Sequence, residues 1–258
     1  MGTLVKDFGK ISSNVFDDEL AASCGNPAAY KNAAGVRGNN LGSSFTAAQQ
    51  AAILAGTFEG MWLGDYWVIN GRTHTIVDFD PYWHVGDQNN GVVQHHVAIV
   101  SDGEWTSKWN NSNDTSSGYV GSAVRTYIKG SGGPQANIIT DFGSDHVLSY
   151  RGLLPSTYSS GNASGWAWVD CRSELLSEME VYGAPVWSVG GKGYEVGHAK
   201  RQLSLFRYDT SFVNTRASYW LRSVYSATSA CDVNSGNGNA NVSGASNTYG
   251  VRPLSLIA

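Results

Sequence analysis

A stretch of small polar residues near the C-terminus constrains the fold more than any other feature of the sequence. Of the 34 residues from 217 to 250, 21 are Ala, Ser, Asn or Gly. Such low complexity is typical of a flexible linker. Here, however, Trp220, Val233 and Val242 interrupt the segment, and apolar blocks flank it. The pattern predicts strands anchored by Val233 and Val242 that carry polar loops, which is how rigid scaffolds present binding surfaces.

The composition narrows the fold class and the function class. The chain has 258 residues, 41% hydrophobic and 15% charged, with 31 glycines and a net charge of −4. Few charged residues and many turn formers predict a loop-rich α+β or mainly β protein. Nine Trp, thirteen Tyr and eight Phe argue against intrinsic disorder, because these side chains must be packed. The absence of a long basic run argues against a nucleic-acid partner.

Neither targeting signals nor a cysteine framework is found in the sequence. No apolar run approaches the roughly 18 residues that span a membrane. The first 20 residues carry charge throughout, so we expect no signal peptide and no membrane insertion, and synthesis in a bacterial cytoplasm. Cys24, Cys171 and Cys231 are odd in number and far apart, which predicts reduced, partly buried thiols.

Local patterns predict several elements. Residues 46–56 form a helix capped by Thr46 with Gln49 at the capping-box spacing. Asn70-Gly71 between two β-rich runs predicts a hairpin, and residues 92–100 read as a central strand. The apolar spacing in residues 170–182 predicts an amphipathic helix.

Three other segments are less defined. Residues 120–128 and 135–142 fit either a helix or a strand, and residues 199–208 fit a short helix.

Two motifs bracket the low-complexity segment: Trp220-Leu-Arg222 before it and Gly250-Val-Arg-Pro253 after it. Together they resemble the closing hairpin of a C-type-lectin fold. The resemblance is to the bacterial and phage branch, related in fold to formylglycine-generating enzymes and to phage tropism determinants. It covers residues 56–258 and implies an α+β, C-type-lectin-like domain with a loop-rich β core. Residues 1–55 are then an N-terminal extension for attachment or oligomerisation.

In several proteins of this kind, a diversity-generating retroelement mutates adenines in the C-terminal coding segment. The resemblance therefore implies a variable region at residues 217–250. Asn codons mutated in this way never yield Lys, Glu, Gln, Met or Trp, and from Leu203 to Ala258 only Trp220 is of these types. A charge-poor composition alone is the alternative explanation. The implied ligand-binding positions are Ser223, Tyr225, Ser226, Thr228, Ser229, Asp232, Asn234, Ser235, Asn237, Asn239, Asn241, Ser243, Ser246, Asn247 and Tyr249.

Trp220, Arg222 and Arg252 are assigned structural roles. Trp220 is expected in the core. Both arginines lie in apolar frames, so we expect them to bind loop carbonyls or a carboxylate inside the domain.

The resemblance implies a non-catalytic display protein on a virion surface, either receptor-binding or capsid-decorating. Its partners would be a host cell-surface protein or glycan and, through the N-terminal segment, other virion proteins. A homotrimer is expected from the resemblance alone. The alternative is a structural virion protein without a receptor role.

Metal chemistry has weak support in the sequence, and no cofactor is predicted. Asp232-x-Asn234-x-Gly236 begins like a calcium loop but has Ser243 in place of the final Glu. His95 and His96 would point to opposite faces of a strand. A site formed by His74, His84, His95 and His96 stays open as an alternative.

Catalysis is a third hypothesis. The resemblance to formylglycine-generating enzymes does not extend to their activity, because only Cys231 lies in the C-terminal part, where those enzymes need two cysteines. Asp78 and Asp80 share one strand face about 7 Å apart, a spacing compatible with an inverting glycosidase pair.

Overall fold

The computed structural model describes residues 27–88, 91–160, 162–188 and 202–258. Cys24 and residues 199–201 of the predicted helix over 199–208 lie outside the described residues. The described part contains two five-stranded sheets, a two-stranded ribbon and seven short helices. The predicted α+β class with a loop-rich β core is therefore confirmed.

Sheet A has the strand order β1-β2-β3-β12-β7. Its strands are β1 (Tyr66–Ile69), β2 (Arg72–Phe79), β3 (Val97–Asp102), β7 (Ser173–Leu175) and β12 (Pro253–Ile257). Asn70 and Gly71 join β1 to β2 with φ angles of 50° and 77°, which is the geometry of a type I′ turn. The hairpin prediction is confirmed. The predicted central strand is confirmed for residues 97–100, because β3 is the middle strand and is buried there.

Sheet B has the strand order β10-β9-β8-β11-β4. Its strands are β4 (Thr106–Lys108), β8 (Tyr219–Val224), β9 (Ser229–Val233), β10 (Ala240–Gly244) and β11 (Thr248–Gly250). The low-complexity segment thus supplies four of the five strands and is not a linker. Val233 and Val242 are strand residues, as predicted.

The two bracketing motifs meet, but not as a two-stranded hairpin. Gly250 pairs with Tyr219 in a parallel bridge, and β8 and β12 belong to different sheets. The Gly250 N–H donates to the Ser218 carbonyl over 2.9 Å. The chain therefore leaves sheet B at Gly250 and enters sheet A at Pro253.

The ribbon and the helices lie outside these sheets. The ribbon pairs β5 (Tyr150–Ser159) with β6 (Asn162–Cys171). The helices are α1 (Pro27–Asn32), α2 (Ala47–Leu54), α3 (Ala123–Lys129), α4 (Pro134–Phe142), α5 (Glu178–Tyr182), α6 (Ser204–Tyr208) and α7 (Thr210–Val213). The two segments that fitted either helix or strand are helical, as α3 and α4.

The predicted helix over residues 170–182 is wrong for most of its length. Residues 162–171 belong to β6, and Ser173–Leu175 pairs with β12 at the edge of sheet A. Only Glu178–Tyr182 is helical, and it begins at a capping box formed by Ser177 and Glu180. The local apolar pattern favours a helix here, but residues 173–175 form a strand instead. Pairing with the distant β12 decides this, because it buries all of Ser173–Leu175.

Residues 27–55 pack against the same core as the sheets. Ile53 of α2 is fully buried, and Arg37 forms an ion pair with Asp65 at 2.5 Å. Residues 1–26 of the predicted extension lie outside the described residues. No helix in the described ranges has the length and apolar character required to cross a bilayer.

The capping box of α2 gives a direct test of the local prediction. The Thr46 hydroxyl accepts from the Gln49 N–H at 3.2 Å, and the Gln49 side chain accepts from the Thr46 N–H at 3.0 Å. Thr46→Ala is expected to lower the free energy of unfolding by about 1 kcal/mol, measured by urea denaturation. The exposed Thr140→Ala, inside α4, should change it by less than about 0.5 kcal/mol. Equal effects would contradict the capping role.

Candidate functional site

The candidate site is built on one face of sheet B. Trp220 lies opposite Asp232, and Asp232 lies opposite Asn241, so these side chains share a face. Ser243 follows Asn241 by two residues on the same side, and its hydroxyl contacts the Tyr249 hydroxyl at 3.1 Å. We call these five residues the outer face.

The outer face has an aromatic part and a polar part. The Tyr249 ring packs on Trp220 with the ring centroids 4.7 Å apart. Beside them, the Asn241 amide donates to Asp232 Oδ2 over 3.1 Å, and Ser243 also hydrogen-bonds the Asp232 carboxylate. Burial raises the pKa of Asp232, and the hydrogen bonds from Asn241 and Ser243 only partly oppose this effect.

Two loops meet at one end of sheet B. The Ala245 N–H of loop 245–247 donates to the Thr228 carbonyl of loop 225–228 over 3.0 Å. Residues 110–115 hold both loops: Thr115 Oγ1 donates to the Ser226 carbonyl over 2.7 Å, and Asn113 Oδ1 accepts from the Ser246 N–H over 2.9 Å.

The third loop, residues 234–239, lies at the opposite end of sheet B. Asn234 Oδ1 accepts from the Gly236 N–H over 2.7 Å, and Asn237 Oδ1 accepts from the Asn239 N–H over 3.1 Å. These contacts are Asx turns, in which the amide side chain stabilises the backbone of its own loop. Gly238 has φ +73°, and an added Cβ would lie 2.9 Å from that of Asn214.

Fourteen of the fifteen predicted ligand-binding residues, all except Ser223, fall into three separate groups rather than one loop cluster. The outer face holds Asp232, Asn241, Ser243 and Tyr249; one end of sheet B holds Tyr225, Ser226, Thr228, Ser229, Ser246 and Asn247; the other end holds Asn234, Ser235, Asn237 and Asn239. Thr228, Ser235, Asn237, Asn239 and Asn247 are the exposed members.

Two predicted surface residues are instead inside the domain. Ser223 is 3% exposed, and its hydroxyl accepts from the Glu178 N–H over 3.1 Å. Asp232 belongs to the outer face but is itself 0% exposed, and its carboxylate accepts a hydrogen bond from the Asn241 amide. Ser223 faces inward because α5 packs against β8, a contact between distant parts of the chain.

Sequence reasoning missed an exposed aromatic side chain beside this surface. Trp187 is 39% exposed, packs edge-on against Tyr225 with centroids 5.6 Å apart, and donates from Nε1 to the Ala240 carbonyl. The buried Glu178 carboxylate holds its loop by accepting the backbone N–H groups of Val186, Trp187 and Ser188. The only sequence signal is an aromatic residue following a Gly-Ala-Pro turn.

Trp220, Arg222 and Arg252 are all buried, and each donates to a backbone carbonyl. Trp220 is fully buried and donates to the Ser107 carbonyl over 3.0 Å. Arg222 donates to the Leu175 carbonyl over 2.6 Å and pairs with Glu180 at 2.9 Å.

Arg252 connects the end of the C-terminal segment to Asp102 and Phe212. It donates to both Asp102 oxygens, over 2.6 and 3.0 Å, and to the Phe212 carbonyl. Its guanidinium also stacks between the Phe212 and Tyr219 rings, at 4.6 and 4.9 Å from the centroids.

The alternative metal and glycosidase sites are not assembled. Within the described ranges, no three His, Cys, Asp or Glu side chains are grouped so that they could hold a metal ion. Asp78 accepts from the N–H groups of Phe79 and Ser204, so it anchors α6. Asp80 accepts from His95 Nδ1 and from the His96 N–H.

The two described cysteines, Cys171 and Cys231, are buried free thiols, as predicted. Burial raises the pKa of both thiols, which keeps them protonated and unreactive.

We expect the stability of the fold to depend on pH through His96. Burial lowers its pKa; its Nδ1 contacts the Gln94 carbonyl, and its Nε2 accepts from the Tyr82 N–H. Because the unfolded chain binds the proton first below about pH 6.5, the free energy of unfolding should fall as pH falls, by up to about 1.4 kcal/mol per pH unit for this group. Urea denaturation at several pH values measures this slope.

His74 adds a contribution of the same sign, because burial also lowers its pKa. His96→Gln should therefore reduce the slope without abolishing it. An unchanged slope in His96→Gln would refute the assignment to His96.

One family model, described as "Domain of unknown function (DUF6273)", matches residues 94–258, which is more than half of the chain. No curated protein and no solved structure matches the chain. The matched residues include all of sheet B, whereas β1 and β2 of sheet A precede them.

Proposed function

This chain belongs to the DUF6273 family, and we propose that it is a non-catalytic recognition protein that binds its partner through sheet B. The binding surface comprises the outer face and the two loop-bearing ends of the sheet. The setting is a phage particle, with the domain displayed on the virion surface to bind a host cell-surface protein or glycan.

The observation that carries the proposal is that the low-complexity segment is folded into strands and hydrogen-bonded loops. Four strands and three hydrogen-bonded loops hold its small polar side chains in defined positions. A rigid scaffold costs little entropy on binding, while Ser and Asn offer adaptable hydrogen bonds. Tyr225 and Trp187 supply rigid amphipathic contact area in the same region.

The proposal includes a C-type-lectin-like fold. Two features support it: the Trp220-Leu-Arg222 and Gly250-Val-Arg-Pro253 motifs lie side by side, and a loop-bearing sheet lies between them in sequence. A homotrimer would raise the avidity of a weak monomeric site by presenting several copies together. The N-terminal segment, residues 1–55, would attach the domain to the particle.

Exposed asparagines provide the test of this surface. Asn237→Arg places a large charged side chain on loop 234–239, and particles carrying it should adsorb to host cells about tenfold more slowly or worse. Asn162→Arg, at an exposed position on the ribbon, is the matched control and should leave adsorption unchanged. Equal adsorption of both variants and the wild type would refute the proposed surface.

The second candidate is a structural virion protein whose C-terminal segment does not vary. The burial of Ser223 and Asp232 favours it, because buried positions tolerate random substitution poorly. Deep sequencing of the last 130 or so bases of the gene in its native population separates the two. Substitutions concentrated at adenine-derived codons from Ser223 to Tyr249 indicate a diversified binder. A segment as invariant as residues 62–80 indicates the structural role.

A further inference from the structure

The carboxylates that are buried in the described part of the chain can be grouped by the donors that compensate their charge. The buried carboxylates are Asp65, Asp78, Asp141, Glu174, Glu178, Glu180 and Asp232. Four of them pair with an arginine guanidinium. Two accept at least two backbone N–H groups each. Both arrangements supply the strong donors that a buried anion requires.

Asp232 has neither kind of compensation. It is 0% exposed, and the donors around it are the neutral amide of Asn241 and the neutral hydroxyl of Ser243. Across the described ranges it forms no ion pair with a lysine, arginine or histidine. An ionised carboxylate has about four acceptor sites, so these two donors leave acceptor capacity unused.

The position of Asp232 indicates the side of the sheet from which a further donor would reach its carboxylate. Its side chain is on the outer face, together with Asn241, Ser243 and Tyr249, and all three of these neighbours are half-buried. The Ser243 hydroxyl bridges Asp232 and the Tyr249 hydroxyl. The Asn241 amide hydrogen-bonds the carboxylate directly, so a group that binds Asp232 from solvent must displace this side chain.

We propose that Asp232 is the anionic anchor of the outer face and receives a guanidinium or ammonium group from the bound partner. The proposal deepens, and rests on, the recognition function assigned to sheet B. A cation there would fill the unused acceptor sites of Asp232, and the Tyr249 ring beside it would add a cation–π contact. The partner chemistry is thus a basic group, either an Arg or Lys side chain or an amino sugar.

The first experiment uses the full chain and four small probes. N-acetyl-arginine methylamide, N-acetyl-lysine methylamide and glucosamine carry the cation, and N-acetyl-citrulline methylamide is the neutral isostere of the arginine probe. Chemical-shift titration should give saturable changes at residues 230–233 and 240–244 with at least one cationic probe. Citrulline should bind more weakly than arginine by roughly tenfold. Equal binding of arginine and citrulline, or no binding of any cationic probe, would overturn the proposal.

The cationic probes also distinguish the source of the basic group. Tighter binding of the arginine or lysine probe indicates a protein partner, and tighter binding of glucosamine indicates an amino sugar.

The second experiment changes the anchor. Asp232→Asn should weaken the cationic probe by roughly tenfold, whereas Asp145→Asn, an exposed aspartate outside sheet B, should not. Asn241→Ala uncovers Asp232 and should bind the cation at least as tightly as the wild type. If Asp232→Asn does not fold, the arginine–citrulline comparison and the Asn241→Ala variant test the proposal instead. Loss of cation binding in Asn241→Ala would overturn the proposal.

Particle adsorption separates this proposal from the function on which it rests. If Asn237→Arg impairs adsorption and Asp232→Asn does not, sheet B is a binding surface but Asp232 is not its anchor. If neither variant impairs adsorption, both proposals fail.

Discussion

Arg222→Ala is expected to lower the free energy of unfolding by about 3–5 kcal/mol. Arg222 is fully buried, and its guanidinium pairs with Glu180 at 2.9 Å and donates to the Leu175 carbonyl over 2.6 Å. Removing the guanidinium leaves the Glu180 carboxylate buried without its cation. Leaving a buried charge unpaired costs more than the ion pair itself contributes.

The effect extends beyond one ion pair because Arg222 joins the two sheets. Its backbone N–H donates to the Leu176 carbonyl over 2.8 Å, so β8 of sheet B is fastened to the chain leaving β7 of sheet A. Glu180 also accepts from the Ser177 N–H in the capping box of α5. Loss of the arginine should therefore loosen α5 as well.

Urea denaturation at pH 7, followed by tryptophan fluorescence, measures the change. Arg207→Ala is the matched control, because Arg207 is exposed and its loss should change stability by less than about 0.5 kcal/mol. A loss below about 1 kcal/mol in Arg222→Ala would contradict a structural role for this ion pair.

Trp220→Ala is expected to lower the free energy of unfolding by about 3–5 kcal/mol as well. The indole is 0% exposed, donates to the Ser107 carbonyl, and packs against the Tyr249 ring. Its loss creates a large cavity in the outer face and leaves that carbonyl without its donor. Tyr249 then loses its support, so the outer face should also lose cation-probe binding.

Trp187→Ala is the matched control for this variant. Trp187 is 39% exposed, so its removal should cost about 1 kcal/mol or less. The two variants should therefore behave differently. Trp220→Ala impairs stability, whereas Trp187→Ala leaves stability nearly intact and impairs adsorption if Trp187 and Tyr225 contact the partner. Similar losses of stability in both variants would show that exposure does not decide their roles.

Local signals in the sequence predicted local structure well. The Thr46 capping box, the Asn70-Gly71 turn and the anchors Val233 and Val242 all involve residues within a few positions of one another. The Ser177–Glu180 capping box was equally readable, and it would have shortened the helix predicted over residues 170–182. Residues 173–175 became a strand because β12 pairs with them from the far end of the chain.

The sequence by itself determined that the C-terminal segment is ordered, that its apolar residues anchor strands, and that Trp220 and both arginines are buried. Only the tertiary structure decided which carboxylates those arginines meet, for example Asp102, which lies 150 residues from Arg252. It also decided that the loops occupy two ends of sheet B, and that Asp232 is buried without a cation. The reason is physical: turns and caps depend on neighbours along the chain, whereas burial and charge pairing depend on how distant strands and helices pack together.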